Sequence, residues 1–216
     1  MNYFAHFFID HIVHNTEYNV GLILPDLARG FVSSFRKPLS IQTDNFEIDL
    51  WKGCQKHYET DKRFHASTFF NELIELAKHM MDNAEFKDGI KRRFFLEHIM
   101  AELMIDRILV KKNSHFLHSF YDTLNNIDTK LLLKFLHNYK IESVDKFEEH
   151  FNHFRKVKYI YYYTDNIKFV YSLNRVMLKA GLNAISESNQ YALIEVIENY
   201  ERKILKNYGN IDAYLK

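Results

Sequence analysis

Breakers of regular structure are almost missing from this chain. Its 216 residues include two prolines, Pro25 and Pro38, and six glycines. Strand-rich domains need turn chemistry at short intervals, so their scarcity predicts long helices. A single cysteine, Cys54, excludes a disulfide framework within the chain and points to a reducing compartment. No run approaches the roughly 18 consecutive apolar residues of a membrane-spanning helix. The opening MNYFAHFFIDHIVHN carries His6, Asp10, His11 and His14 and has no basic leader, so it reads as part of a cytoplasmic domain rather than a signal peptide. Neither sign of charge is in excess. With 29 Lys and Arg against 28 Asp and Glu, the formal charge is +1, and no nucleic-acid footprint is left. Local basic clusters remain at Lys62-Arg63, Lys91-Arg92-Arg93 and Lys111-Lys112. They read as solvated helix ends or as anion contacts.

What is abundant is apolar side chain, 47% of the sequence. Together with the missing breakers it predicts an all-α, single helical domain over 1–216. Helices are expected over 2–14, with Phe4, Phe7, Phe8, Ile12 and Val13 on an apolar face, and over 18–35, interrupted by Pro25. A loop from Arg36 to Asn45 follows, then a short helix over 46–55 ending near Gly53. Long helices are expected over 55–81 and 89–111. The C-terminal half predicts amphipathic helices over 114–125, 128–138, 143–155, 157–180 and 188–207, with Ser143 and Ser188 as caps.

Two of these segments carry histidine and carboxylate at four-residue steps, which keep side chains on one helix face. They are His57-Asp61-His65 and His98-Glu102-Asp106. The second is otherwise apolar nearly all round, so it predicts a buried helix. Glu102 and Asp106 together would be costly there without a positive partner. A metal ion would offset them, as would Arg107 or Lys111.

Taken in order, MNYFAH, Gly21-Leu22-Ile23-Leu24-Pro25-Asp26, Gly53-Cys54-Gln55-Lys56-His57 with Asp61, and Glu97-His98 form a set. It resembles the acyl carrier protein phosphodiesterase family over residues 1–110. That family is similar to the HD-type metal-dependent phosphohydrolases, so the resemblance implies an HD-domain-like helical bundle. It also implies a divalent ion held by His6, Asp26, His57, Asp61 and His98, with Mn²⁺ first and Fe²⁺ or Zn²⁺ as alternatives. Asp26, Asp61 and Glu97 are the carboxylates it puts to catalytic work. His65, Glu102, Arg63 and Arg93 stand beside the ion or against the phosphate. Two departures are visible: Pro25 precedes Asp26 where a small residue is usual, and Glu97 stands where the family has Asp.

The implied reaction is phosphodiester hydrolysis that releases 4′-phosphopantetheine from acyl carrier protein, within fatty acid and lipid biosynthesis. Lys56, Lys62 and Arg63 flank the His57-Asp61 pair and suit an acidic carrier. The two departures leave open a non-catalytic binding protein of the same fold, and another small phosphoester remains an alternative substrate. A carboxylate-bridged di-iron oxidase ranks last, because it needs Glu-x-x-His on two helices and the chain has none.

Overall fold

The structure is a computed structural model that describes residues 1–38 and 44–215. It is 75% helical with almost no strand, the all-α class expected. Twelve α-helices stand among the described residues: α1 (Tyr3–Asp10), α2 (Thr16–Gly21), α3 (Leu24–Leu27), α4 (Asn45–His65), α5 (Thr68–Asp82), α6 (Arg93–Lys112), α7 (Ser114–Asn126), α8 (Thr129–Asn138), α9 (Val144–Val157), α10 (Asn166–Lys179), α11 (Glu187–Tyr208) and α12 (Asp212–Leu215). They sort into two compact units. The first comprises Asn2–Arg63 and Asn113–Tyr159; the second comprises Met1, Phe64–Lys112 and Ile160–Lys216. The residues implied to hold the metal are shared out between both.

In the first unit α7 packs on α1 and α2, and α9 packs on α7 and α8. Phe4 and Phe7 meet Phe120 edge-on at 6.0 and 5.3 Å. Helix α1 stops at Asp10, short of the expected residue 14, because the Asn19 side chain takes over the backbone of Ile12. Its Oδ1 accepts from the Ile12 N–H and its Nδ2 donates to the Ile12 carbonyl, each at 2.8 Å. Ile12 and Val13 are left exposed. Pro25 divides the second expected helix as predicted: it has no N–H for the Gly21 carbonyl, and it occupies the first turn of α3, where that N–H is not needed. The expected continuation to residue 35 is absent, because α3 ends at Leu27 and residues 28–35 run through turns and bends. Of the loop expected from Arg36 to Asn45, residues 39–43 lie outside the described residues.

Gly53 does not end a helix. It lies inside the 21-residue α4 and is used for close approach. A Cβ on Gly53 would lie 2.1 Å from the Tyr18 carbonyl oxygen and 2.8 Å from the Gly21 Cα, and a Cβ on Gly21 would lie 2.3 Å from the Leu50 carbonyl. Backbone meets backbone, and α4 is pressed onto the α2–α3 segment.

In the second unit α5 packs on α6 and α11, and α10 packs on α6 and α11. The helix expected over 55–81 is two helices. It breaks at Ala66-Ser67, where the Ser67 hydroxyl accepts from the Phe70 N–H and caps α5. The helix expected over 157–180 breaks as well. Lys158 turns left-handed at φ 52°, Tyr159–Thr164 form a 3₁₀ turn, and Asp165 caps α10. Ser143 caps α9 as expected, whereas Ser188 lies within α11 and donates to Asp88. At the centre, Arg107 is fully buried. It donates to Glu201 at 2.8 Å, to the Tyr163 carbonyl at 2.6 Å and to Asn166, and Lys111 joins Glu201 at 2.7 Å.

Candidate metal centres

Two groups of side chains among the described residues bring metal-ligating atoms within 4.8 Å of one another. One is His6, Asp26 and His57, in the first unit. The other is His65, His98 and Glu102, in the second.

The first group is built by three helices. His6 projects from α1 between the buried Ala5 and Phe7, Asp26 lies on α3, and His57 is one turn beyond Gly53 on α4. All three are buried. The imidazoles of His6 and His57 stack with centroids 3.9 Å apart. The Gly21–Gly53 contact brings α4 against the chain at Leu22, and His57 Nδ1 donates to the Leu22 carbonyl at 2.8 Å. That bond fixes the tautomer and leaves the lone pair on Nε2, the arrangement typical of a metal-bound histidine.

His6 is different. Neither of its ring nitrogens has a hydrogen-bond partner, although both are sealed from solvent. Its nearest acid, Asp61 Oδ1, is 3.8 Å from Nε2, inside ion-pair range but beyond a hydrogen bond. Burial lowers the His6 pKa to about 3; the adjacent His57 pushes the same way and Asp61 partly offsets them. Burial also lowers His57, against the opposing pull of Asp26 and the Leu22 carbonyl. Both rings are therefore neutral near pH 7, the form that ligates. Asp26 accepts from the Arg29 guanidinium, whose side chain is 75% exposed. The proline before Asp26 does not keep its carboxylate out of the group.

The second group joins α4 and α6. Glu102 Oε1 lies 3.2 Å from Nε2 of His98 and 3.2 Å from Nε2 of His65. Burial alone would raise the Glu102 carboxyl, but the hydrogen bonds from His65 and His98 outweigh it and hold the group below the usual carboxylate range.

Of the implied ligands, then, His6, Asp26 and His57 come together with Asp61 at their edge, while His98 stands with His65 and Glu102 in the other unit. Glu97 is paired with Arg93 at 2.8 Å, and Arg93 also reaches Asp82 at 2.6 Å, so both are committed within the second unit. Arg107 and Lys111 answer Glu201 rather than Glu102 or Asp106. Arg63 and Lys62 are exposed, and Lys56 lies 3.2 Å from Glu59 and 3.8 Å from Asp10. Sequence reasoning missed two partners, the Leu22 carbonyl and Glu201. The first is a main-chain atom with no residue signature; the second lies 94 positions from Arg107. A cavity of about 570 Å³ in the second unit is lined by Arg107, Lys111 and Glu201, already paired with one another, and belongs to neither group.

No protein-family model, curated protein or solved structure matches this chain.

Proposed function

We propose that the protein is a metal-dependent phosphodiester hydrolase of HD-like helical architecture, acting on holo acyl carrier protein to release 4′-phosphopantetheine. The observation that carries this reading is His6. A fully buried imidazole with both nitrogens unanswered, beside a buried carboxylate and a second imidazole of fixed tautomer, is a costly arrangement for a protein alone. An ion bound by His6, Asp26 and His57 would remove that cost. Two neutral imidazoles and a carboxylate suit a divalent transition ion, and the family resemblance puts Mn²⁺ before Fe²⁺ and Zn²⁺.

When bound, such an ion polarises a phosphoryl oxygen and lowers the pKa of its water. The remaining chemistry belongs to the chain. His57 is oriented by the Leu22 carbonyl. Asp61 is part-exposed next to His6 and accepts the proton from the attacking water. Arg29, steered by Asp26, presents its guanidinium to the phosphate. Lys62 and Arg63, the two residues after Asp61 on α4, are exposed and face an acidic carrier.

Elemental analysis of the purified protein, run beside an assay for apo acyl carrier protein formed from the holo form, tests this. The expected result is bound Mn²⁺, Fe²⁺ or Zn²⁺ and phosphopantetheine release; in His57→Ala the release is lost and the ion held by His6, Asp26 and His57 is lost with it, with helical content retained. Stoichiometric metal without release from holo carrier would turn the reading to a smaller phosphoester. Absence of both would leave a binding protein.

A further inference from the structure

The second group has a geometry of its own. Two Nε2 atoms, from His65 at the end of α4 and His98 on α6, converge on one oxygen of Glu102, each at 3.2 Å. The two rings are parallel within 8° at 5.3 Å, and Phe70 meets both edge-on, at 4.6 and 5.2 Å. The rings are thus held in place from the side, and their nitrogen edges point to a common spot. The side chains are 30%, 43% and 18% exposed for His65, His98 and Glu102, so the spot is open to water.

We propose that His65, His98 and Glu102 form a second cation site, separate in its ligands from the first, that takes a divalent transition ion of the zinc type. Two imidazoles and one carboxylate are a donor set typical of zinc hydrolases, with a water completing the tetrahedron. Ligand atoms about 2.1 Å from an ion at tetrahedral angles stand about 3.4 Å from each other, close to the observed 3.2 Å. The Met1 ammonium lies beside the group, 3.5 Å from His65 Nε2 and 3.6 Å from Glu102 Oε1. Without an ion it is a positive partner of the carboxylate; an ion at the common spot takes over that role and engages both ring nitrogens. Borderline-soft Zn²⁺ prefers this nitrogen-rich set over Mg²⁺ or Ca²⁺, which seek oxygen.

The test is a metal titration of the full-length protein after chelator treatment, using Co²⁺ for its visible absorption and Zn²⁺ to displace it. The wild type is expected to take up two equivalents. His98→Asn and Glu102→Gln are each expected to take up one, and His57→Asn, which removes a ligand of the first group, also one. If both His98→Asn and Glu102→Gln keep the wild-type stoichiometry, the second site is overturned and the triad is only a hydrogen-bonded clasp. If His57→Asn keeps it while the other two lose an equivalent, the first group fails as a metal centre and the second stands. Should either second-site variant lose its helical signal, the His65 and His98 C–H resonances of the wild type decide. They must shift on Zn²⁺ addition, and constancy through saturation overturns the proposal.

Discussion

Two buried polar side chains, Arg107 in the second unit and His6 in the first, differ in how they are answered. In the second, Arg107 is as buried as any leucine, yet each of its donor groups is met: Nε by Glu201, Nη1 by the Tyr163 carbonyl, Nη2 by Asn166. In the first, His6 is equally buried and neither nitrogen is met. The two histidine groups also differ in what their rings face. His65 and His98 share Glu102, whereas His6 faces a second imidazole across a stack. A buried polar group whose partners are all in the chain has a structural explanation; one without them is where a partner from outside removes a cost. Burial alone does not distinguish the two, and partner accounting does.

That contrast can be broken by substitution. The largest effect is expected from Glu201→Ala, which leaves Arg107 buried without its carboxylate. A loss of about 3–5 kcal/mol in urea unfolding is predicted, and a change under about 1 kcal/mol would show that Arg107 is not held as described. His6→Leu is the mirror case. Removing an unanswered imidazole should leave the metal-stripped protein within about 1 kcal/mol of wild type, while phosphodiester turnover falls more than about 100-fold, beyond what loss of a mere supporting hydrogen bond produces. A large stability loss with turnover intact would invert the assignment. Gly53→Ala forces a Cβ onto the Tyr18 carbonyl and is expected to cost about 1–3 kcal/mol, whereas Gly89→Ala, with nothing within 4 Å of the new Cβ, serves as the control. Equal melting temperatures for the two would remove the α2–α4 contact from the account.

Acid sharpens the comparison further. Unfolded His6 takes a proton below its ordinary 6.5, while the folded residue stays neutral down to about 3. In that window the unfolded state binds more protons, so the stability of the metal-stripped protein falls as pH drops from 6.5 toward 3, by at most about 1.4 kcal/mol per pH unit for this one group. Glu102 acts later. Its folded carboxyl is held below its ordinary 4.5, so the stability it contributes is lost only as pH falls below 4.5. Urea midpoints measured from pH 7 to 4 check the order, and a flat profile from 7 to 5 would contradict the buried neutral His6. The smallest effect is expected from Lys62→Glu with Arg63→Glu. Affinity for an acidic carrier should drop a few-fold and lose its salt dependence near 0.15 M, where the Debye length is about 8 Å; unchanged binding in a salt titration would take this surface out of the reading.

The all-α class was legible because breakers are scarce and apolar spacing is helical. Helix ends were harder. Gly53 looks like a stop in sequence, yet its role depends on Gly21, 32 positions away in the chain but 2.8 Å from where a Cβ on Gly53 would sit. Lys158 adopts a left-handed turn with a residue type that gives no warning of it. The histidines at four-residue steps marked α4 and α6 as carriers of chemistry. Spacing along a helix says which residues share a face; it does not say which other helix that face meets. Hence His57 and Asp26 could be grouped through a resemblance; for His98, the partner Glu102 was readable at four residues' distance and the ring of His65 beside it was not.

The hydrogen bond from His57 to the Leu22 carbonyl also bears on how the chain tolerates mutation. Every amino acid carries that acceptor, so no substitution at position 22 can delete it. Variation there is filtered only by packing, since Leu22 is fully buried. The setting of the His57 tautomer is thereby insulated from single-residue drift at its partner. The glycines at 21 and 53 have no such insulation, because a side chain at either position would collide with the Leu50 or Tyr18 carbonyl and push α4 away from the segment that carries Leu22.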